Sequence, residues 1–157
     1  MSIERARAHL KRFGLADRIR EFSVSSATVA LAAAALGTEE ARIAKSLSFM
    51  LGDSAILVIT AGDAKVDNHK YKQFFEKKAK MLPFEEVEAI IGHAVGGVCP
   101  FGINEGIKVY LDESLRRFET VFPAAGTASS AIELTIDELE VASCAVGWVD
   151  VTSIPAV

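Results

Sequence analysis

The stretch ARIAKSLSFML, residues 41 to 51, places a lysine inside an apolar stripe. If this stretch forms a β-strand, its side chains alternate between two faces, and Lys45 shares the more apolar face with Leu47 and Phe49. A buried ammonium group is costly unless another group pairs with it. Lys45 is therefore either a solvated residue at the entry of the strand or a cation on a pocket wall that binds an oxygen-rich ligand. Taken by itself, this one residue favours the solvated position.

A second candidate is the glycine-rich segment GHAVGGVCPFG, residues 92 to 102. Successive backbone N–H groups in such a loop can hold a carbonyl oxygen or a phosphate. The segment lacks the spacing of a P-loop and does not follow a predicted strand, as a dinucleotide-binding turn would. It is therefore either a ligand-binding loop or a long connection between two elements.

Cys99 lies in this loop and is a candidate nucleophile. A catalytic thiol needs a nearby base, and His93 is the one histidine close to it in sequence. Nothing in the spacing shows that the two side chains meet. The other cysteine, Cys144, is distant, and neither cysteine has the spacing of a metal ligand, so we predict no metal and no cofactor.

Basic residues form two clusters, although the formal net charge of the chain is −4. The clusters consist of Arg5, Arg7, Lys11 and Arg12, and of Lys65, Lys70, Lys72, Lys77, Lys78 and Lys80. The acidic balance argues against a protein that coats nucleic acid nonspecifically. Each cluster is either a solvated helix face or a local contact for phosphate groups.

Composition and pattern predict one folded domain over residues 1 to 157, with half of the residues hydrophobic. No apolar run is long enough for a membrane span or a signal peptide, so we expect a cytoplasmic protein. Strand-like and helix-like segments alternate, and tight turns join several strands. We therefore predict an α+β or mixed α/β fold with a mixed, mostly antiparallel sheet flanked by helices.

Local signals predict several of the elements. Residues 45 to 51 and 55 to 60 should form a hairpin through a three-residue loop, Gly52 to Ser54. Thr28 and Asp67 are candidate helix caps, and Thr135 has the capping-box spacing to Glu138. Residues 18 to 24 and the segment AKML, residues 79 to 82, are expected to be strands.

Five segments between about residues 20 and 142 resemble, in order, those of the YbaK-like aminoacyl-tRNA deacylases. This family includes free-standing Cys-tRNA(Pro) and Ala-tRNA(Pro) deacylases and the editing domain of bacterial prolyl-tRNA synthetases. The segments are ALGTEEARIAKSLSF, VITAGDAKVDNHKYKQFF, GHAVGGVCPFGI, VYLDESLRRFETVFPAAG and AIELTIDEL. The tail, residues 141 to 157, matches no family pattern. The resemblance implies the mixed, mostly antiparallel sheet of that family.

The resemblance also implies roles for individual residues. Lys45 matches the main functional lysine of the family, and Gly96 and Gly97 match the loop whose amides hold the scissile carbonyl. The implied substrate-binding residues are Phe22, Val98, Cys99, Pro100, Phe101, Ala125 and Gly126. Two departures stand out. Cys99 replaces the usual serine, which argues against a thiol nucleophile, and Phe22 replaces a tyrosine of cysteine-specific members.

The implied function is hydrolysis of misacylated tRNA, with tRNA(Pro) carrying Ala, Cys, Ser or Thr as the expected substrate. The partner is then the acceptor end of aminoacyl-tRNA, contacted by Lys65, Lys70 and Lys72, and prolyl-tRNA synthetase is a candidate protein partner. Two alternatives remain at this point, a non-catalytic tRNA- or ligand-binding relative and a Cys99-dependent hydrolase of small esters. Monomer and homodimer are equally open.

Overall fold

A computed structural model describes residues 2 to 155 of the chain. The α-helices are α1 (Ser2–Lys11), α2 (Val29–Leu36), α3 (Asn68–Phe75), α4 (Val87–Ile91) and α5 (Ile136–Ala142). The strands are β1 (Arg20–Glu21), β2 (Ile43–Leu51), β3 (Ser54–Ala61), β4 (Lys65–Val66), β5 (Lys108–Asp112), β6 (Thr120–Pro123), β7 (Ser130–Ala131), β8 (Leu134–Thr135), β9 (Gly147–Val149) and β10 (Thr152–Ser153). Short 3₁₀ helices occupy Ala16–Arg18, Glu40–Arg42, Phe84–Glu86 and Glu113–Arg117.

Six strands form the main sheet in the order β8-β6-β2-β3-β5-β9. The predicted α+β fold with a mixed sheet is confirmed, and this sheet contains more parallel pairing than the sequence indicated. The β2–β3 hairpin and the β6–β8 pair are antiparallel, whereas β6–β2, β3–β5 and β5–β9 are parallel. Parallel neighbours need long crossovers, and the segment from α3 to the glycine-rich loop provides one between β3 and β5.

The hydrophobic core lies on both faces of the sheet, with β3 at its centre. All residues of β3 except Ser54 are buried, as expected for a strand that is covered on both sides. Leu57 and Ile59 face the larger core with α1, α4 and α5, whereas Ile56 and Val58 face Tyr71 of α3. Within the described residues, no helix has the length and apolar character needed to cross a membrane.

The predicted caps are confirmed. Thr28 accepts a hydrogen bond from the Leu31 amide, Asp67 caps α3, and Thr135 and Glu138 form a complete capping box at α5. The hairpin loop is shorter than predicted because Ser54 already pairs with Leu51. The turn therefore contains two residues, and Gly52 supplies the positive φ of 65° that it needs.

The predicted strand at residues 79 to 82 is wrong. The segment contacts only one end of β2 and leaves part of that edge of β2 unpaired. Only a single bridge joins Met81 to Phe49, with hydrogen bonds from the Met50 amide to Lys80 and from the Leu82 amide to Ser48. On the same side, β6 pairs with the other end of β2, at Ile43 and Ala44. Residues 45 to 47 lie between these two partners.

The secondary structure at both ends of the region that resembles the family, about residues 20 to 142, differs from what the sequence predicted. The strand expected at residues 18 to 24 shortens to β1, which pairs with β7. The tail without a family pattern provides β9 at the edge of the main sheet and β10, which pairs with β4. Residues 1, 156 and 157 lie outside the described part of the chain.

Candidate active site

A cavity of about 360 Å³ lies at the open edge of β2. Lys45, Ser46 and Ser48 of β2 line one side of it. The start of α2 lines a second side, the glycine-rich loop a third, and Ala124, Ser130 and Ala131 near β6 and β7 a fourth. Most lining side chains are apolar, and with its volume of about 360 Å³ the cavity suits a small ligand group.

Lys45 is the third residue of β2 and is partly buried, so it is not a solvated residue at the strand entry. Its ammonium group donates a hydrogen bond of 2.5 Å to the carbonyl oxygen of Ala64. Loss of hydration on burial lowers the pKa of Lys45 below its usual 10.5, while nearby Asp63 opposes and Lys65 reinforces that change. An ammonium group has three N–H donors, so two remain for a ligand.

The turn that holds Lys45 is itself fixed by an ion pair. Arg117 donates two hydrogen bonds, of 2.6 and 3.0 Å, to the carboxylate of Asp63. The hydrogen bond from Arg117 lowers the pKa of Asp63 below its usual value. Gly62 packs so closely that a Cβ there would lie 2.0 Å from the Glu40 carbonyl oxygen. These contacts position the Ala64 carbonyl and, through it, Lys45.

Gly96 and Val98 of the glycine-rich loop line the cavity, whereas Gly97 lies behind it. The Gly97 amide donates to the Ala94 carbonyl at 3.0 Å, and a Cβ on Gly97 would lie 2.6 Å from backbone atoms of Gly126 and Thr127. The amides of Gly96 and Val98 have no backbone acceptor among the described residues. The amide of Val95, which also lines the cavity, lacks a backbone acceptor there as well, so these three loop amides remain available to a ligand.

Cys99 and His93 do meet, but the pair is sealed in the core. Cys99 Sγ lies 3.5 Å from His93 Nε2, and both side chains are fully buried. His93 Nε2 is also 2.6 Å from the Phe101 carbonyl oxygen, which only accepts, so this nitrogen carries a hydrogen and cannot take the thiol proton. Burial raises the pKa of Cys99 to about 12 and lowers that of His93. This geometry opposes a thiolate nucleophile.

The other residues singled out by sequence lie around the cavity and not at its surface. Pro100, which has no N–H, and Phe101 are buried. Ala125 and Gly126 are buried as well, and Ala124 lines the cavity in their place. Phe22 is partly exposed and outside the cavity lining, and its amide donates to the Ser129 carbonyl at 2.8 Å.

Sequence reasoning missed two groups of cavity residues. The signal for Ser46 and Ser48 was present in the sequence, because two hydroxyl residues occur two positions apart on one face of a predicted strand. The exposed apolar rim of Met81, Phe84 and Val95 has no comparable signal, because its position depends on how residues 80 to 82 meet β2.

The basic residues divide into engaged and exposed groups. Lys70 donates to Asp150 at 3.1 Å and to the Thr152 carbonyl at 2.7 Å, so it fastens the C-terminal segment to α3. Lys65 and Lys72 are exposed. Arg5 of the first cluster donates to Gly92 and Asn104 and so supports both ends of the glycine-rich loop.

Comparison with known proteins points to one family. Residues 24–141 match the family model described as the aminoacyl-tRNA editing domain. The protein YwhH of Bacillus subtilis (strain 168) is 51% identical, over 96% of this chain and 97% of its own length. EbsC of Enterococcus faecalis, a candidate Cys-tRNA(Pro)/Cys-tRNA(Cys) deacylase, is 30% identical over 65% of this chain and 63% of its own. The crystal structure of a candidate trans-editing enzyme for prolyl tRNA synthetase superposes with a TM-score of 0.87, at 31% identity and 97% coverage of both chains.

Proposed function

Because the chain belongs to the aminoacyl-tRNA editing domain family, we propose that it hydrolyses the ester bond of misacylated tRNA that carries a small amino acid. The observation that carries the proposal is one small cavity lined by Lys45, Gly96 and Val98. The cavity thus combines a cation with free backbone amides at the place where the resemblance to the family predicts that the ester binds. The names of EbsC and of the structural neighbour support tRNA(Pro) as the carrier.

The reaction needs no strong nucleophile, because an aminoacyl ester is already activated. Water adds to the carbonyl carbon, negative charge collects on the carbonyl oxygen, and the ester C–O bond breaks. The ribose oxygen leaves with a proton, which gives free amino acid and uncharged tRNA. The free hydroxyl of the terminal ribose positions the water.

The amides of Gly96 and Val98 stabilise the carbonyl oxygen as its charge develops. Preorganised N–H donors of this kind are effective because they need no reorientation during the reaction. The N-terminus of α2 adds to them, since Thr28 and Val29 also line the cavity and the positive end of a helix dipole favours nearby negative charge.

Lys45 binds oxygen atoms of the terminal nucleotide with the two donors that Ala64 leaves free. This contact fixes the ester against the loop amides and adds positive potential at the reacting carbonyl. Lys65 lies close enough to Lys45 to lower its pKa, so the positive potential near the cavity comes from more than one cation.

The mouth of the cavity suits the end of a nucleic acid. Met81, Phe84 and Val95 line the cavity and are exposed, Phe84 by 73% of its surface. An exposed aromatic ring at this point provides a stacking surface for the terminal base. Lys65 and Lys72 contact phosphates farther along the acceptor stem, whereas the ammonium group of Lys70 is already engaged with the C-terminal segment.

Prolyl-tRNA synthetase is the protein partner that this activity implies. A role in translation also implies that the present protein acts in the cytoplasm.

The proposal is tested with tRNA(Pro) charged with Ala, Ser, Thr, Cys or Pro. We expect the purified protein to release one or more of the four small residues and to leave Pro-tRNA(Pro) intact. Binding of the charged tRNAs without release of any residue would contradict the proposal and support the non-catalytic alternative.

A further inference from the structure

Two serine residues of β2 line the cavity, and the hydroxyl of one of them has no hydrogen-bond partner among the described residues. Ser46 and Ser48 are two positions apart on β2, so both side chains point to the same face of the sheet. The Ser46 hydroxyl is the buried group without a partner among the described residues, and Ser48 is itself a buried polar residue. The other cavity hydroxyls are engaged, that of Ser26 with Ala128, that of Thr28 with Leu31 and that of Ser130 with Thr127.

An unpaired buried hydroxyl destabilises a fold, whereas alanine at the same place would not. Ser46 also interrupts a face of β2 on which Ala44 and Met50 contact the main core. Because Ser46 lines the cavity, a group bound in the cavity lies beside this residue. The natural partner for the Ser46 hydroxyl is a polar atom of the ligand.

The partner is not the α-ammonium group of the aminoacyl ester. Among the described residues that line the cavity there is no aspartate or glutamate, and the charged residue among them, Lys45, is positive. A cation beside Lys45 with no carboxylate to balance it would be unfavourable. The ammonium group therefore stays toward the mouth, and the side chain of the amino acid enters the cavity.

We propose that Ser46, assisted by Ser48, reads a hydroxyl or thiol group on the substrate's side chain. The preferred aminoacyl groups are then serine, threonine or cysteine, and alanine is a poorer substrate that leaves the Ser46 hydroxyl unpaired. This inference rests on the proposed function and names the substrate class of the same site. Apolar pockets separate such similar side chains weakly, whereas a hydrogen-bonding group in the pocket separates them strongly.

The test compares kcat/KM for tRNA(Pro) charged with Ser, Thr, Cys or Ala in the wild type and in Ser46→Ala. The wild type should favour at least one hydroxyl- or thiol-bearing residue over Ala by roughly tenfold or more. Ser46→Ala should lose roughly 10- to 100-fold on that substrate and less than about threefold on Ala-tRNA. Ser48→Ala should show the same pattern more weakly. Ser54→Ala, in an exposed serine at the start of β3, is the matched control and should behave as wild type.

Each outcome separates this inference from the proposed function. Equal loss on all four substrates, or no loss on any, would overturn the inference and leave the deacylase intact. No release by the wild type would overturn the deacylase and the inference with it. The melting temperature provides a second readout, because removing an unpaired hydroxyl should leave Tm unchanged or higher. A clear fall in Tm would show that the hydroxyl has a partner within the protein and would also overturn the inference.

Discussion

The behaviour of Lys45 depends on one carbonyl oxygen and on the partial burial of its side chain. The Ala64 carbonyl holds the ammonium group at 2.5 Å, and partial burial lowers its pKa. The cost of the buried cation is therefore reduced by a fixed acceptor, and Lys45 is one of the residues that line the cavity. A lysine in an apolar stripe is explained by this arrangement, which differs from a side chain that extends to bulk water.

The lowered pKa of Lys45 predicts a pH effect. If the charged form is required, kcat should fall on the alkaline side at a pH below 10.5. Lys45→Arg should retain some activity and move that fall to higher pH, because guanidinium stays protonated. In the interval between the folded and unfolded pKa values the unfolded chain binds more protons, so stability from this residue rises with pH there. Initial rates corrected for spontaneous ester hydrolysis test this, and an alkaline limb that does not move in Lys45→Arg would contradict it.

The two cysteines differ in exposure, and alkylation can use this difference. Cys144 is exposed, while Cys99 is buried and its pKa is raised to about 12. We expect iodoacetamide to modify Cys144 alone and to leave deacylation unchanged, as measured by mass spectrometry and activity on the same sample. Cys144→Ser should then show no modification. Rapid inactivation that Cys99→Ser abolishes would instead establish the thiol hydrolase.

At the scale of elements, the glycine-rich loop depends on one close backbone approach. A Cβ at Gly97 would lie 2.6 Å from backbone atoms of Gly126 and Thr127, which cannot move aside as a side chain can. We expect Gly97→Ala to lower stability by about 1–3 kcal/mol and to reduce activity strongly, because the loop amides shift. Gly147→Ala is the matched control, since its Cβ would meet nothing within 4 Å. A wild-type Tm and rate for Gly97→Ala would contradict this account of the loop.

The elements themselves were largely readable from local sequence, and the cavity was not. Caps at Thr28, Asp67 and Thr135 follow from side chains that satisfy the first amides of a helix. The open edge of β2 depends on pairing between residues far apart in the chain, namely Ile43 with Phe122 and Ser48 with Leu82. The segment at residues 79 to 82 has a strand-like composition, but only one bridge forms there. Likewise, no local pattern shows that Ala64 accepts from Lys45.

At the scale of the whole molecule, an acidic chain must bind tRNA through a local patch. The net charge is −4, so phosphate contacts depend on a few exposed lysines and should weaken as salt increases. Charge reversal of Lys70 and of Lys72 distinguishes a structural role from a role in tRNA binding. Each substitution changes the net charge of the protein by the same amount, so a difference between the two variants reflects the position of the lysine. Lys72→Glu should raise KM for charged tRNA and lessen its salt dependence, with Tm unchanged.

Lys70→Glu should mainly lower Tm, because it places a carboxylate beside Asp150 and removes the bond to Thr152. Thermal melting and KM at two salt concentrations distinguish the two variants. Equal KM increases with no difference in Tm would mean that Lys70 also serves the tRNA and that its contact to the C-terminal segment contributes little.

The central claim is that Lys45 and the loop amides promote hydrolysis of the ester by water in the cavity at the open edge of β2. The most direct test is the single-turnover deacylation rate of the best small-residue tRNA(Pro), with enzyme in excess, for wild type and Lys45→Ala. Lys108→Ala, which removes an exposed lysine from β5, is the control. The account predicts a loss of roughly a hundredfold or more for Lys45→Ala, with wild-type Tm, and a wild-type rate for the control. A near-wild-type rate for Lys45→Ala would contradict the account and leave Lys45 as a structural or binding residue.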